Sequence, residues 1–214
     1  MFISILCSDK NHPVNQHLRL WAKNHSNKHK IELVSAVSDL SGGDILFLIS
    51  CTEIISADTR VGYGATLLIH ASDLPSGGGW SPLVWQILEG REQVVICLLE
   101  AEDKVDSGRI WQKYTLQIPK YLLWDDINEL LFKAEIQLMN FAVENYGEVV
   151  PFDQERGIKR TYYPRRTAND SEIDPEKSLM SQFNLIRISD PIRYPCFFEL
   201  HENRYKLTLE RVDD

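Results

Sequence analysis

Apolar positions along the chain alternate between two spacings. Short apolar runs at residues 2–6, 31–34, 45–49, 66–70 and 94–100 predict strands, and residues 110–117 predict an extended segment. Residues 45–49 are apolar throughout, the pattern of a strand covered on both faces. Between these runs the spacing lengthens. Residues 13–25 carry Val14, His17, Leu18, Trp21 and Ala22 at helical intervals, with Pro13 suited to a first turn. Residues 82–89 predict a helix closed by Gly90. Residues 124–146 predict the longest helix, with Ile127, Leu130, Leu131, Ala134, Leu138, Phe141 and Ala142 on one stripe and Gly147 at its end. This alternation predicts an α/β fold: a Rossmann-like, mostly parallel, twisted sheet with flanking helices.

The texture changes after Pro151. Residues 152–176 are polar, residues 175–188 predict a short helix, and residues 194–198 and 205–209 predict a hairpin turning at Glu202-Asn203. Residues 1–150 therefore read as one α/β unit and residues 151–214 as a C-terminal extension, comprising a short helix and a hairpin, too short for a separate large domain.

Composition narrows the function. The 214 residues carry 23 Lys and Arg against 31 Asp and Glu, a net charge of −8. That balance disfavours binding a nucleic-acid backbone by bulk charge. No apolar run reaches the roughly 18 residues of a membrane span, and residues 1–10 lack the pattern of a secretory signal. Cys7, Cys51, Cys97 and Cys196 form no CxxC pair, so reduced buried thiols in a cytoplasmic protein are expected and no metal site.

The segment from Leu67 to Gly90 carries the chemistry. A strand delivers His70 at its carboxyl end, where ligands collect in open α/β sheets. A loop with Gly77, Gly78 and Gly79 follows, matching neither the P-loop nor GxGxxG, and its backbone amides could approach a ligand closely. Downstream, Glu100, Glu102, Asp103 and Asp106 follow a buried strand. Read without function, they are a solvated loop; an Asp at the same sheet edge would orient and charge His70. One helix and one strand separate the two, and a right-handed crossover makes their strands neighbours.

The run filled by His70, Ser72, Leu74, Pro75, Gly79, Pro82, Ile87 and Gly90 resembles the signature of the folate-dependent formyltransferases. Val105-Asp106-Ser107-Gly108 resembles their Asp-small-Gly motif. The segment Tyr163 to Asp174, and Asn184 with Arg187, are similar to the region after the catalytic domain in the sugar and tRNA enzymes. The resemblance implies N10-formyltetrahydrofolate as formyl donor. It implies that His70 stabilises the developing oxyanion, that Asp106 accepts the amine's proton, and that Ser72 sits in the catalytic loop. Thr52, Glu53, Ile54, Leu99, Glu100, Asp103 and Val105 would wall the pterin pocket. Lys10, His12, Gly79, Trp80, Tyr163, Arg165 and Arg166 would face the acceptor.

Two positions depart from the pattern. Leu68 stands where the family has Asn, and Gly78 where it has Arg. Leu68 donates no hydrogen bond, so Ser50 or Cys51 is the expected replacement donor. The short C-terminal part resembles the nucleotide-sugar branch, implying a UDP-4-amino-4,6-dideoxy sugar of the pseudaminic-acid type as acceptor, no nucleic acid or membrane partner, and a homodimer as an open question. The alternatives are a binding protein of the same fold without turnover, a methionyl-tRNA formyltransferase-like enzyme, and an acyl transferase with another donor.

Overall fold

The computed structural model describes residues 1–212. In chain order it contains β1 (Phe2–Leu6), α1 (Val14–His25), β2 (Lys30–Val34), β3 (Gly43–Leu48), α2 (Ala57–Arg60), β4 (Tyr63–His70), β5 (Gly78–Gly79), α3 (Pro82–Leu88), β6 (Gln93–Glu100) and β7 (Ile110–Gln117). It continues with α4 (Trp124–Glu144), β8 (Tyr162–Tyr163), α5 (Leu179–Ile188), β9 (Cys196–Leu200) and β10 (Asn203–Leu207). Six strands form the central sheet in the order β2-β1-β3-β4-β6-β7. β2, β1, β3 and β4 pair in parallel, and β6 runs antiparallel to both β4 and β7. The sheet is thus mostly parallel. The strands of His70 and Glu100 are neighbours, as expected, but the pairing is antiparallel, with His70 opposite Cys97 and Leu67 opposite Glu100, so β6 starts beyond the His70 end of β4 and runs back beside it.

Alternate residues of the strands face opposite layers. Ile3, Ile5, Ile45, Phe47, Leu67, Ile96 and Leu98 pack with Val14, Leu18 and Trp21 of α1 and with Ile127, Leu138, Met139 and Ala142 of α4. Each such side chain contributes roughly 1.5–3 kcal/mol by leaving water. The opposite residues Leu6, Leu46, Leu48 and Tyr63 meet only a thin cover that includes Ile55, and Leu74, Cys97, Leu99 and Ile110 form a separate patch. One face is therefore packed by the long helices and the other mainly by loops.

The C-terminal segment is stitched to the sheet domain. β8 pairs with β5, so residues 161–163 bind the Gly-rich loop that reads as flexible in the sequence. A polar run gave no signal of this two-residue strand. Arg187 is fully buried: its Nε donates to Asn184 Oδ1 at 2.9 Å and its Nη1 to the Leu122 carbonyl at 3.1 Å, tying α5 to the entry of α4. α5 starts later than the sequence suggests, at Leu179 behind the cap Ser178, whose hydroxyl accepts the Ser181 amide. The hairpin turns one residue earlier than expected, with His201 and Glu202 both at positive φ. All four cysteines are free. Among the described residues there is no cluster fit to hold a metal, and no helix is long and apolar enough to cross a membrane.

Candidate active site

β4 carries His70 to the rim of the sheet with its side chain turned inward, 7% exposed. The loop after β6 brings Asp106, 5% exposed, to meet it. His70 Nδ1 lies 3.5 Å from Asp106 Oδ1, and His70 Nε2 lies 3.0 Å from the Gly77 carbonyl. Both ring nitrogens thus face acceptors, an environment that a protonated imidazole satisfies at both ends. Asp106 Oδ2 accepts the Gly79 amide at 2.8 Å. The carboxylate is therefore held from two sides, between the imidazole and the Gly-rich loop.

Asp106 adopts φ 54°, the left-handed region that Asp tolerates better than most residues. The C-terminal segment fixes this turn. Gln154 Nε2 donates to the carbonyls of Asp106 and Gly108, each at 2.9 Å, and Arg160 Nη2 donates to Gln154 Oε1 at 2.8 Å and to the Asp106 carbonyl at 3.3 Å. Sequence reading missed Gln154 and Arg160. They lie in a polar stretch with no motif, and only the fold brings them to Asp106.

The amides of the Gly-rich loop are engaged by the protein itself. Gly77 N–H donates to Thr161 Oγ1 at 2.8 Å, Gly78 N–H to the Thr161 carbonyl at 3.0 Å, and Trp80 N–H to the Tyr163 carbonyl at 3.1 Å. They do not form an open phosphate cradle. Glycine is required at position 79, where φ is 97° and a Cβ would come 2.4 Å from the Tyr163 carbonyl oxygen. Ser72 is buried beneath this loop, and its hydroxyl has no hydrogen-bond partner among the described residues. Leu68 pairs with Leu48 and Leu99 and packs among apolar neighbours on the loop-covered face. No guanidinium comes from Gly78; Arg165 places one beside this loop, 4.8 Å from the Trp80 ring. Tyr163 stacks on Trp85 with ring centroids 6.2 Å apart, and its hydroxyl donates to Glu89 Oε1 at 2.8 Å.

Ser50, Cys51 and Thr52 follow β3. Ser50 takes φ 47°, its carbonyl accepts the Ser8 hydroxyl at 3.4 Å, and the Thr52 amide donates to Ser8 Oγ at 2.9 Å. Cys51 Sγ points to the Glu53 carbonyl at 3.6 Å, and burial pushes its thiol above the ordinary range, against a thiolate role. No contact among the described residues joins Ser50 or Cys51 to His70 or Asp106. Arg60 bridges two loops: it donates to the Ile55 carbonyl at 2.7 Å and pairs with Asp103. Thr52, Glu53 and Ile54 are thereby set beside the loop of Glu100, Asp103 and Val105, and Ile54 and Val105 both expose apolar side chains. Leu99 is fully buried, so any contribution it makes to a pocket is through backbone.

The remaining predicted residues are spread out. Lys10 lies exposed in the loop after β1. His12 sits against Phe132 with ring centroids 5.9 Å apart, and desolvation, aided by Arg193, lowers its pKa to about 4, so it stays neutral. Arg165 and Arg166 diverge. Arg166 turns away from Trp80, donates to the Asp170 carbonyl at 2.8 Å and lines a separate cavity.

No family model matches the chain. It is 28% identical over 154 residues to a methionyl-tRNA formyltransferase of Rickettsia bellii, an alignment covering 71% of this chain and 49% of that protein. The chain thus spans about half the length of the curated relatives it matches. Its fold superposes on the methionyl-tRNA formyltransferase from Clostridium thermocellum with a TM-score of 0.84 at 21% identity, covering 100% of this chain and 94% of that one. It also superposes on WlaRD, a sugar 3N-formyl transferase studied in the presence of dTDP and 5-N-formyl-THF, with a TM-score of 0.66 at 16% identity, covering 88% and 78% of the two chains. The chain has the formyltransferase fold. In sequence it is similar to methionyl-tRNA formyltransferases, and its fold is shared with enzymes acting on sugars.

Proposed function

We propose that the protein is a folate-dependent N-formyltransferase that moves a formyl group from N10-formyltetrahydrofolate to the amine of a nucleotide-linked amino sugar. The observation that carries this reading is the buried His70–Asp106 pair clamped under the Gly-rich loop. The donor, when bound, supplies an activated one-carbon acyl group. Thr52, Glu53, Ile54, Glu100, Asp103 and Val105 would hold its pterin, and the Arg60 bridge keeps their two loops together.

The chain's own groups then divide the work. Attack by the amine places negative charge on the former carbonyl oxygen. His70, with Nδ1 set against Asp106, donates to that oxygen from Nε2, whose present acceptor is the Gly77 carbonyl. Asp106 accepts the amine proton, directly or through water, and passes it to N10 as the bond between the formyl carbon and N10 breaks, so that tetrahydrofolate leaves as the neutral amine. Ser50, in the turn that follows β3, the strand beside β4, replaces the donor that Leu68 lacks. On the acceptor side we assign Trp80 and Arg165, which face each other beside β5, with Tyr163 of the neighbouring β8 and Lys10 as further contacts.

A 4-amino-4,6-dideoxy sugar linked to UDP is the acceptor the reading favours. The test is to incubate the protein with the formyl donor and, separately, a UDP-4-amino sugar, a dTDP-amino sugar and methionyl-tRNA, and to analyse products by mass. A formylated amino sugar supports the proposal. Product with methionyl-tRNA alone, or with none of the three, overturns it. Leu68 also favours a second reading, a folate-binding protein without turnover, which would show saturable donor binding and no product.

A further inference from the structure

One residue of the C-terminal segment pins Gly77 from both sides. The Gly77 N–H donates to Thr161 Oγ1 at 2.8 Å, and the N–H of the next peptide, at Gly78, donates to the Thr161 carbonyl at 3.0 Å. At φ 76° Gly77 presents both amides to the same residue, a conformation glycine adopts without strain. A trans peptide is planar, with its N–H and C=O pointing to opposite sides. Pinning the Gly78 N–H on Thr161 therefore aims the Gly77 carbonyl the other way, and there it meets His70 Nε2 at 3.0 Å.

That contact matters because the imidazole is otherwise loosely set. Rotation of a histidine ring about its Cβ–Cγ bond has broad minima, so partners at the two nitrogens decide its angle. Asp106 Oδ1 lies 3.5 Å from Nδ1, beyond the usual N–H···O range of roughly 2.7–3.2 Å. The Gly77 carbonyl is within that range at Nε2 and sets the ring more firmly. The neighbouring loop amides have other duties: Gly79 N–H is on Asp106 Oδ2 and Trp80 N–H on the Tyr163 carbonyl. Thr161 thus reaches the imidazole through one peptide, as Gln154 reaches the carboxylate.

We propose that Thr161 is a positioning residue for His70. Its hydroxyl and carbonyl fix the two peptides that flank Gly77, the Gly77 carbonyl fixes the imidazole, and Nε2 is held in the direction from which the formyl oxygen takes over its hydrogen bond. Thr161 is exposed, so replacing it removes no core packing. The effect on rate rests on the formyl-transfer reading. The effect on the ring does not, and it is measured without substrate.

The test uses the full chain as wild type, Thr161→Val, which loses the hydroxyl at similar size, and Thr161→Ser, which keeps it. Circular dichroism establishes folding. Nuclear magnetic resonance of protein carrying nitrogen-15 in its histidine rings reads His70, whose signals are assigned by their absence in His70→Asn. Thr161→Val is expected to move the His70 Nε2 signal and to lower kcat about tenfold or more, with KM for both substrates unchanged. Thr161→Ser is expected to restore both readouts to near the wild type. A wild-type His70 signal in folded Thr161→Val overturns the proposal, as does a moved signal with unchanged kcat, or a Thr161→Ser variant as impaired as Thr161→Val. A moved signal in a protein that formylates no acceptor supports the positioning of the ring and counts against the formyl-transfer reading. An unmoved signal in a protein that does formylate an amino sugar removes Thr161 and leaves that reading intact.

Discussion

Gln154 holds Asp106 from behind: one side-chain amide donates to the carbonyls of Asp106 and Gly108, each at 2.9 Å, across 48 and 46 residues of sequence. The carboxylate that faces His70 therefore depends on a segment far beyond the sheet domain. That dependence explains why residues 152–163 follow an ordered path over the Gly-rich loop despite their polar composition.

Gln154→Ala is expected to lower kcat at least tenfold with little change in KM for either substrate. The left-handed turn at Asp106 would lose two hydrogen bonds; Arg160 still reaches the Asp106 carbonyl, so the Gly108 carbonyl is the one left unpaired, a loss of about 1–3 kcal/mol. A purely structural role would reduce the yield of folded protein without altering kcat per active site. Steady-state kinetics normalised to active-site concentration separate the two outcomes.

Glu135 is a second buried acid, on α4, with one carboxyl oxygen lacking a partner. Desolvation raises its pKa from 4.5 to about 8. The raised value means that the folded state holds this proton more tightly than the unfolded chain. The stabilisation is full below pH 4.5 and is lost progressively up to about pH 8. Stability of the wild type should fall across this window by at most about 1.4 kcal/mol per pH unit from this group. Glu135→Gln should flatten that part of the profile. Urea titrations between the two limits measure it, and parallel slopes for wild type and variant would contradict the assignment.

Ser50→Gly and Cys51→Ala distinguish the two candidates for the missing donor. Glycine accepts the φ of 47° at position 50 without strain, so this change removes the hydroxyl alone. Ser50→Gly should cost about tenfold or more in kcat, whereas Cys51→Ala should leave it within a factor of about two, because the thiol is turned to the Glu53 carbonyl. Equal rates in the two variants would retire Ser50 as the donor.

How much of this was legible in the sequence follows from the range of the forces involved. Local periodicity placed every strand of the central sheet and both long helices within a few residues, since burial on one face leaves its mark in the order of apolar residues. His70 and Asp106 were legible because each ends or follows a buried strand with a glycine nearby. The antiparallel course of β6 was not, because an apolar run carries no direction. Gln154, Arg160 and the pairing of β5 with β8 were hidden for another reason: they are single polar contacts over long sequence separations, and nothing local marks them. Arg165 and Arg166 read as equivalent neighbours, yet extended backbone sends adjacent side chains to opposite sides.

The central claim is that His70 and Asp106 act as one unit on the formyl group. The most direct measurement is transfer of an isotope-labelled formyl group from N10-formyltetrahydrofolate to the amino sugar by wild type, His70→Asn, Asp106→Asn and the double variant. Each single variant should fall by about 10²-fold or more while still binding donor, and the double variant should fall little further than the weaker single. Wild-type transfer by either single variant, in folded protein, would contradict the account.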